Sequence, residues 1–128
     1  MADVLKIVNN GLAITSALLS GESVVSPKWV GWGVGTTAPV VGNTSLETAS
    51  AEARTVGTQT QETTTTTDDT YQVVALITCT GAGKAITEVA VFNHLTTVVM
   101  YLRATFSAIN VSVGDSIQFT IKSVLDNP

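Results

Sequence analysis

Charge is scarce in this chain of 128 residues: Asp, Glu, Lys and Arg make up only 12% of it, against roughly a quarter in an ordinary soluble domain. The six cations, Lys6, Lys28, Arg54, Lys84, Arg103 and Lys122, are scattered, and the net charge is −4. Phosphate contacts need clustered cations, so direct binding to nucleic acid is not expected. The one cysteine, Cys79, cannot form an internal disulfide, which excludes a disulfide-stapled scaffold. It lies in a strand-like run and reads as a buried, inert thiol. His94 is the only histidine. Metal sites and catalytic triads need partners at set spacings, so His94 reads as a surface turn residue. No apolar run approaches the roughly 18 residues of a spanning helix. The opening MADVLKIVNNG carries Asp3 and is broken by Asn9-Asn10-Gly11, unlike a signal peptide. Synthesis in a cytoplasm and no membrane partner are the expectations.

What is present is apolar and β-branched. Hydrophobic residues make up 45% of the chain, and the length suits one domain with one core. The expected division is an N-terminal segment over 1–27 with a short helix, then a β-rich body over 28–125. Thr, Ser, Asn and Gln must supply most of the polar surface. Low charge with positive mean hydropathy points to surface that becomes covered in an assembly.

The stretch from Thr70 to Phe106 organises the rest. Three runs, TYQVVALITCT, AITEVAVFN and VVMYLRATF, are separated by GAGK and HLTT. Such runs between short breaks predict an antiparallel meander, with the glycines of Gly81-Ala82-Gly83 making a hairpin. Closing Asn93 onto Val98 sets Phe92 opposite Val99, Ala90 opposite Tyr101 and Glu88 opposite Arg103. Closing Thr80 onto Ala85 sets Ile77 opposite Glu88 and Val73 opposite Phe92. Alternation then groups Val73, Ala75, Ile77, Cys79, Ile86, Glu88, Ala90, Phe92, Val99, Tyr101 and Arg103 on one face, and Val74, Leu76, Val89, Val91, Met100, Leu102 and Ala104 on the other. Both faces are apolar, so both should be covered: one by a second sheet, the other by a helix, a loop or a neighbouring subunit. Glu88 and Arg103 should form a structural cross-strand ion pair.

Upstream, a helix is predicted from about Gly11 to Ser20, with Asn9 or Asn10 as cap and Gly21 as stop. Lys28 to Val34 predicts a strand with Trp29, Gly31 and Gly33 on one side and Val30, Trp32 and Val34 on the other; glycines beside large rings indicate close backbone approach. Gly35 to Thr44 reads as loop, Ser45 to Ala53 as irregular, and Arg54 to Thr67 as an exposed strand ending in a threonine-rich loop. Downstream come a turn at Val113–Ser116 and a last strand from Ile117 to Val124. Six to eight strands imply a β-sandwich or barrel.

Motifs that would carry chemistry fail on inspection. Gly31, Gly33 and Gly35 do not complete a dinucleotide fingerprint, because Thr36 stands where glycine is required and no helix follows. Gly83-Lys84-Ala85 lacks both ends of a phosphate-binding loop. Asp68, Asp69 and Glu62 read as a solvated acidic turn rather than a cation site. No nucleophile, base and orienting group can be named together. No enzyme, cofactor or metal is expected.

The order of several segments is informative: NNGLAITSALLSGE, PKWVGWGVGTTAP, TSLETASAEAR, AITEVAVFN, YLRATF and INVSVGDSIQFTIKSV. This succession resembles small structural proteins of tailed bacteriophages, both capsid decoration (cement) proteins and the amino-terminal attachment domains of tail fibres. Ala90 stands where glycine is common, and Val89 intervenes after Glu88. The resemblance implies a virion protein with a jelly-roll-like antiparallel β-sandwich and a short N-terminal helix. With no repeat or shaft after the last strand, the cement group is the expectation and a tail-fibre or baseplate adaptor the alternative. The resemblance further implies synthesis in a bacterial host, a place on the capsid surface, binding to the major capsid protein and a homo-oligomer (dimer or trimer). Trp29, Trp32, Tyr101 and the amino-terminal segment are the expected interface or core anchors.

Overall fold

The computed structural model describes residues 4–94 and 99–125. Its elements are β1 (Val4–Ile7), α1 (Asn9–Leu19), β2 (Trp29–Gly33), β3 (Thr55–Val56), β4 (Thr58–Glu62), β5 (Thr70–Thr78), β6 (Lys84–Phe92), β7 (Met100–Val111) and β8 (Ser116–Val124). The strands form two antiparallel sheets, a five-stranded one in the order β1-β7-β6-β2-β3 and a three-stranded one in the order β4-β5-β8. The architecture is an all-β sandwich with one short helix. The strand order establishes the sandwich and does not establish a jelly roll.

The predicted meander is corrected at its first link. β5 and β6 are not paired; β5 lies between β4 and β8 in the smaller sheet, and β6 lies between β2 and β7 in the larger. The burial of each strand gives the reason. Along β5, Val73, Ala75 and Ile77 are buried, while Leu76 and Thr78 are exposed. Along β6, every residue from Ile86 to Phe92 is buried. A strand dry on both faces belongs in the centre of a covered sheet, and one that alternates belongs in a sheet with a wet face. The expected face grouping fails with the hairpin: Val73, Ala75 and Ile77 pack in one core with Val89, Val91 and Leu102. Gly81 does take positive φ, but the chain there crosses between layers. The end of β5 is held instead by the turn before β8, through Cys79 N–H to Asp115 O (2.7 Å) and Gly114 N–H to Cys79 O (2.9 Å).

The β6–β7 hairpin forms with a shifted register. Ala90 faces Arg103, Glu88 faces Thr105, and Phe92 faces Met100; Asn93 N–H closes onto Val99 O, not Val98. The expected pairs Ala90–Tyr101 and Glu88–Arg103 are thus displaced by two residues. Tyr101 is an extra residue between the pairs Phe92–Met100 and Val91–Leu102, a β-bulge. Apart from His94, which is exposed, the loop expected at His94–Thr97 lies outside the described residues.

Several elements depart from expectation upstream. β1 has no counterpart among the predicted elements; it forms the edge of the larger sheet, pairing Val4–Ile7 with Leu102–Thr105. The strand expected from Arg54 breaks at Gly57, where the chain passes from β3 in one sheet to β4 in the other. The helix begins before the predicted start, on Val8 in extended conformation with no side-chain cap, so neither Asn9 nor Asn10 is the cap. Its end is as predicted: Gly21 has φ +78°, and Gly21 N–H to Leu18 O with Glu22 N–H to Ala17 O completes a Schellman motif. Gly11 sits inside the helix although glycine there costs about 1 kcal/mol relative to alanine. A β-carbon at Gly11 would lie 2.1 Å from Tyr101 O, so the glycine lets α1 dock on β7.

Candidate functional site

The ionisable side chains most deeply placed in the molecule include three carboxylates, and each ties loops together. Glu88 is fully buried on β6. Its Oε1 accepts from Arg103 Nε (2.9 Å) and Glu47 N–H (2.9 Å), and its Oε2 from Gly35 N–H (2.8 Å) and Thr48 N–H (2.8 Å). The Glu88–Arg103 ion pair is therefore present, diagonal across the strands rather than directly opposite. Close approach explains the glycines after Trp32. A β-carbon at Gly33 would lie 2.3 Å from Thr48 O, and one at Gly35 would lie 2.4 Å from Glu88 Oε2. The segment 34–48 is thus drawn over the outer face of the larger sheet, and Leu46 packs there with Val8, Ala90, Phe92 and Met100.

Glu52 makes the second tether. It accepts from Trp32 Nε1 (2.9 Å), Lys84 Nζ (2.6 Å), Thr80 N–H (2.9 Å) and the Ser50 hydroxyl. Burial pushes its carboxyl up, but the Lys84, Ser50 and Trp32 donors outweigh that and hold it far below the usual carboxylate range. Asp69 makes the third. It accepts from the backbone N–H groups of Thr64, Thr65 and Thr66 and from the Thr65 and Thr70 hydroxyls. The Thr66 and Thr64 amides lead in holding it far below its ordinary value. Asp69 is therefore not part of a solvated acidic turn, since it is buried and its oxygens are occupied, whereas Asp68 is exposed as expected. Glu47 is held below its ordinary value by hydrogen bonds from Thr37. Among the described residues no group of three or more His, Cys, Asp or Glu is placed to hold a metal ion. What these carboxylates do is fix irregular chain to sheet.

The aromatic anchors separate. Trp32 is 1% exposed and Tyr101 5% exposed. Trp32 meets Phe119 edge to face at 6.3 Å, and Tyr101 meets Tyr71 at 6.0 Å. Both rings are core anchors, and the interface role expected for them has no exposed ring to support it. Trp29 is half-buried against the outer cluster. Cys79 is buried. Arg54 lies over the Phe92 ring at 3.5 Å and donates to His94 O.

The helix of the amino-terminal segment does present exposed apolar side chains. Leu19 is 85% exposed and Leu12 60% exposed. Asn9 N–H donates to Val41 O (2.7 Å), which brings the exposed Val40 and Val41 to the start of α1. Leu18, Leu19 and Leu125 border a shallow hollow of about 210 Å³ floored by Ile14 and Tyr71. Val40 and Val41 thus stand by the start of α1, and Leu18 and Leu19 stand at its end.

No family model matches this chain, and no curated protein or solved structure matches it. Any functional reading rests on the chain itself. Among the described residues no helix is long and apolar enough to cross a membrane.

Glu88, Arg103 and the helix were legible in the sequence. The roles of Glu52 and Asp69 were not. Asp69 did carry a signal, since an aspartate beside a threonine run is suited to capping local backbone. Glu52 carried none, because its partners Thr80 and Lys84 are distant in sequence.

Proposed function

We propose that this protein is a virion structural protein, a capsid decoration protein that binds the major capsid protein lattice and stabilises the head. The observation that carries the reading is the exposure of Leu12 and Leu19 on α1, on a chain with few charges to desolvate. Such a surface supplies contact area at a modest cost in lost hydration. The segment order that resembles phage structural proteins supports the same reading. The mechanism is thermodynamic: a protein that binds the assembled lattice and not loose subunits shifts the equilibrium toward the shell. The buried carboxylates fit a part whose surface loops must hold their shape, since a pre-ordered surface loses less entropy on binding.

The test uses undecorated capsid shells and purified tails of the parent phage. The protein should cosediment with shells and raise the temperature at which they disrupt. Leu19→Asp and Leu12→Asp, at exposed positions, should lose this binding while keeping the wild-type unfolding temperature. Retention by tails and not by shells would overturn the reading in favour of a tail adaptor.

A further inference from the structure

The two layers of the sandwich do not match in width, five strands against three. On one side the larger sheet ends in β1 and the smaller in β8. Between them runs a groove of about 500 Å³, lined by Leu5, Ala104 and Phe106 from the larger sheet and Ile117, Phe119 and Ile121 from β8. Leu5, 40% exposed, borders this groove, and among the described residues no strand faces it there.

The edge of β8 is open to pairing. β8 is bonded to β5 along its whole length without a register shift, and no strand among the described residues lies on its other side. In an antiparallel ladder alternate N–H and C=O groups point away from the partner, so this edge offers a row of unpaired groups. It lacks the usual protection: SIQFTIKSV contains no proline and no bulge, and its only charge is Lys122. Lys122, on the outer face of β8, is also the only charged residue bordering the groove among the described residues.

We infer that this groove is a strand-acceptor site, filled by an extended arm of a neighbouring protein chain that pairs with β8 and tucks its apolar side chains beneath β1 and β7. The arm carries apolar residues at every second position, to meet the row of Ile117, Phe119 and Ile121, and an acidic residue beside Lys122. A folded second copy does not fit. Antiparallel pairing of two β8 edges about a two-fold axis would bring the partner's own larger sheet into the space that β1 and β7 occupy. Parallel pairing would turn its polar face of Gln118, Thr120 and Lys122 onto the apolar groove. An arm free of its own covering layer meets neither obstacle and leaves its backbone hydrogen-bonded, as in other strand-addition complexes. The acceptor site is independent of the exposed leucines of α1 and of which particle the partner belongs to.

The probe is a synthetic peptide of about nine residues, the length of β8, alternating valine and threonine with one glutamate. Two further versions are N-methylated on alternate amides, one for each edge of the strand. The full chain should bind the unmethylated peptide saturably, and only one methylated series should lose binding, since one edge alone faces β8. Lys122→Glu should weaken binding about fivefold, and a peptide with lysine in place of glutamate should recover it. Equal binding of both methylated series, or no binding at millimolar peptide, would overturn the inference. Shell binding without peptide binding would sink the acceptor site and leave the capsid reading standing; the reverse result would do the opposite.

Discussion

The two sheets draw on the same β-branched vocabulary and meet different surroundings. In the larger sheet, β6 is dry on both faces: Val89 and Val91 look into the core between the layers, while Ala90 and Phe92 look into the outer cluster with Leu46. In the smaller sheet, only the inner face is dry. Its outer face shows Thr58, Thr60, Leu76, Gln118, Thr120 and Lys122. The difference lies in the tether. Glu88 holds the amides of residues 35, 47 and 48 and so draws a loop over one sheet. Among the described residues, no counterpart to Glu88 stands on the outer face of the other.

That contrast can be broken deliberately. The largest effect should come from Glu88→Leu, which strands four donors including the buried guanidinium of Arg103. Removing one member of a buried pair costs about 3–5 kcal/mol, read as a shift of the urea midpoint. Val91→Ala should cost about 2–3 kcal/mol as a cavity in a core that cannot collapse from either side. Arg103→Met should cost less than Glu88→Leu, about 2 kcal/mol, because three amides still serve the carboxylate. If the two partners prove equally costly, the ion pair matters more to the fold than the loop tether does.

Acid should act on the other tethers. The carboxyls of Asp69 and Glu52 are depressed in the fold. A depressed carboxyl contributes stability that is fully present above its unfolded value and is lost as pH falls toward its folded value. Unfolding free energy should therefore be flat near neutrality and decline below about pH 4, where unfolded Asp and Glu titrate. Asp69→Asn should lower stability at neutral pH and flatten the acid decline. The smallest effect should come from Leu76→Thr on the wet face, within about 0.5 kcal/mol.

How far the sequence disclosed this structure follows from what is local. Gly21 announced the helix stop, and the alternation of Ile117 to Val124 announced the last strand. Glu88 and Arg103 could be paired from strand order alone, and their meeting survives a two-residue register error because side chains alternate with period two. The same periodicity made the error invisible in the pattern. The partner of β5 was not legible either, since a short glycine-bearing link serves a hairpin or a crossing between layers equally well. The exposure of Leu76 was the missing clue, and its identity as leucine concealed it. The two-residue β3 and four-residue β1 are too short to show a period, and their existence depends on distant partners.

The most direct test is amide hydrogen exchange at Gly35, Glu47 and Thr48. Although these residues lie in irregular chain, their amides should exchange nearly as slowly as those of Ala90 and Val91 at the centre of β6. In Glu88→Leu they should become fast while amides of the β5–β8 ladder keep their rates. Fast exchange at all three in the native protein would contradict a loop held over the sheet by one buried carboxylate.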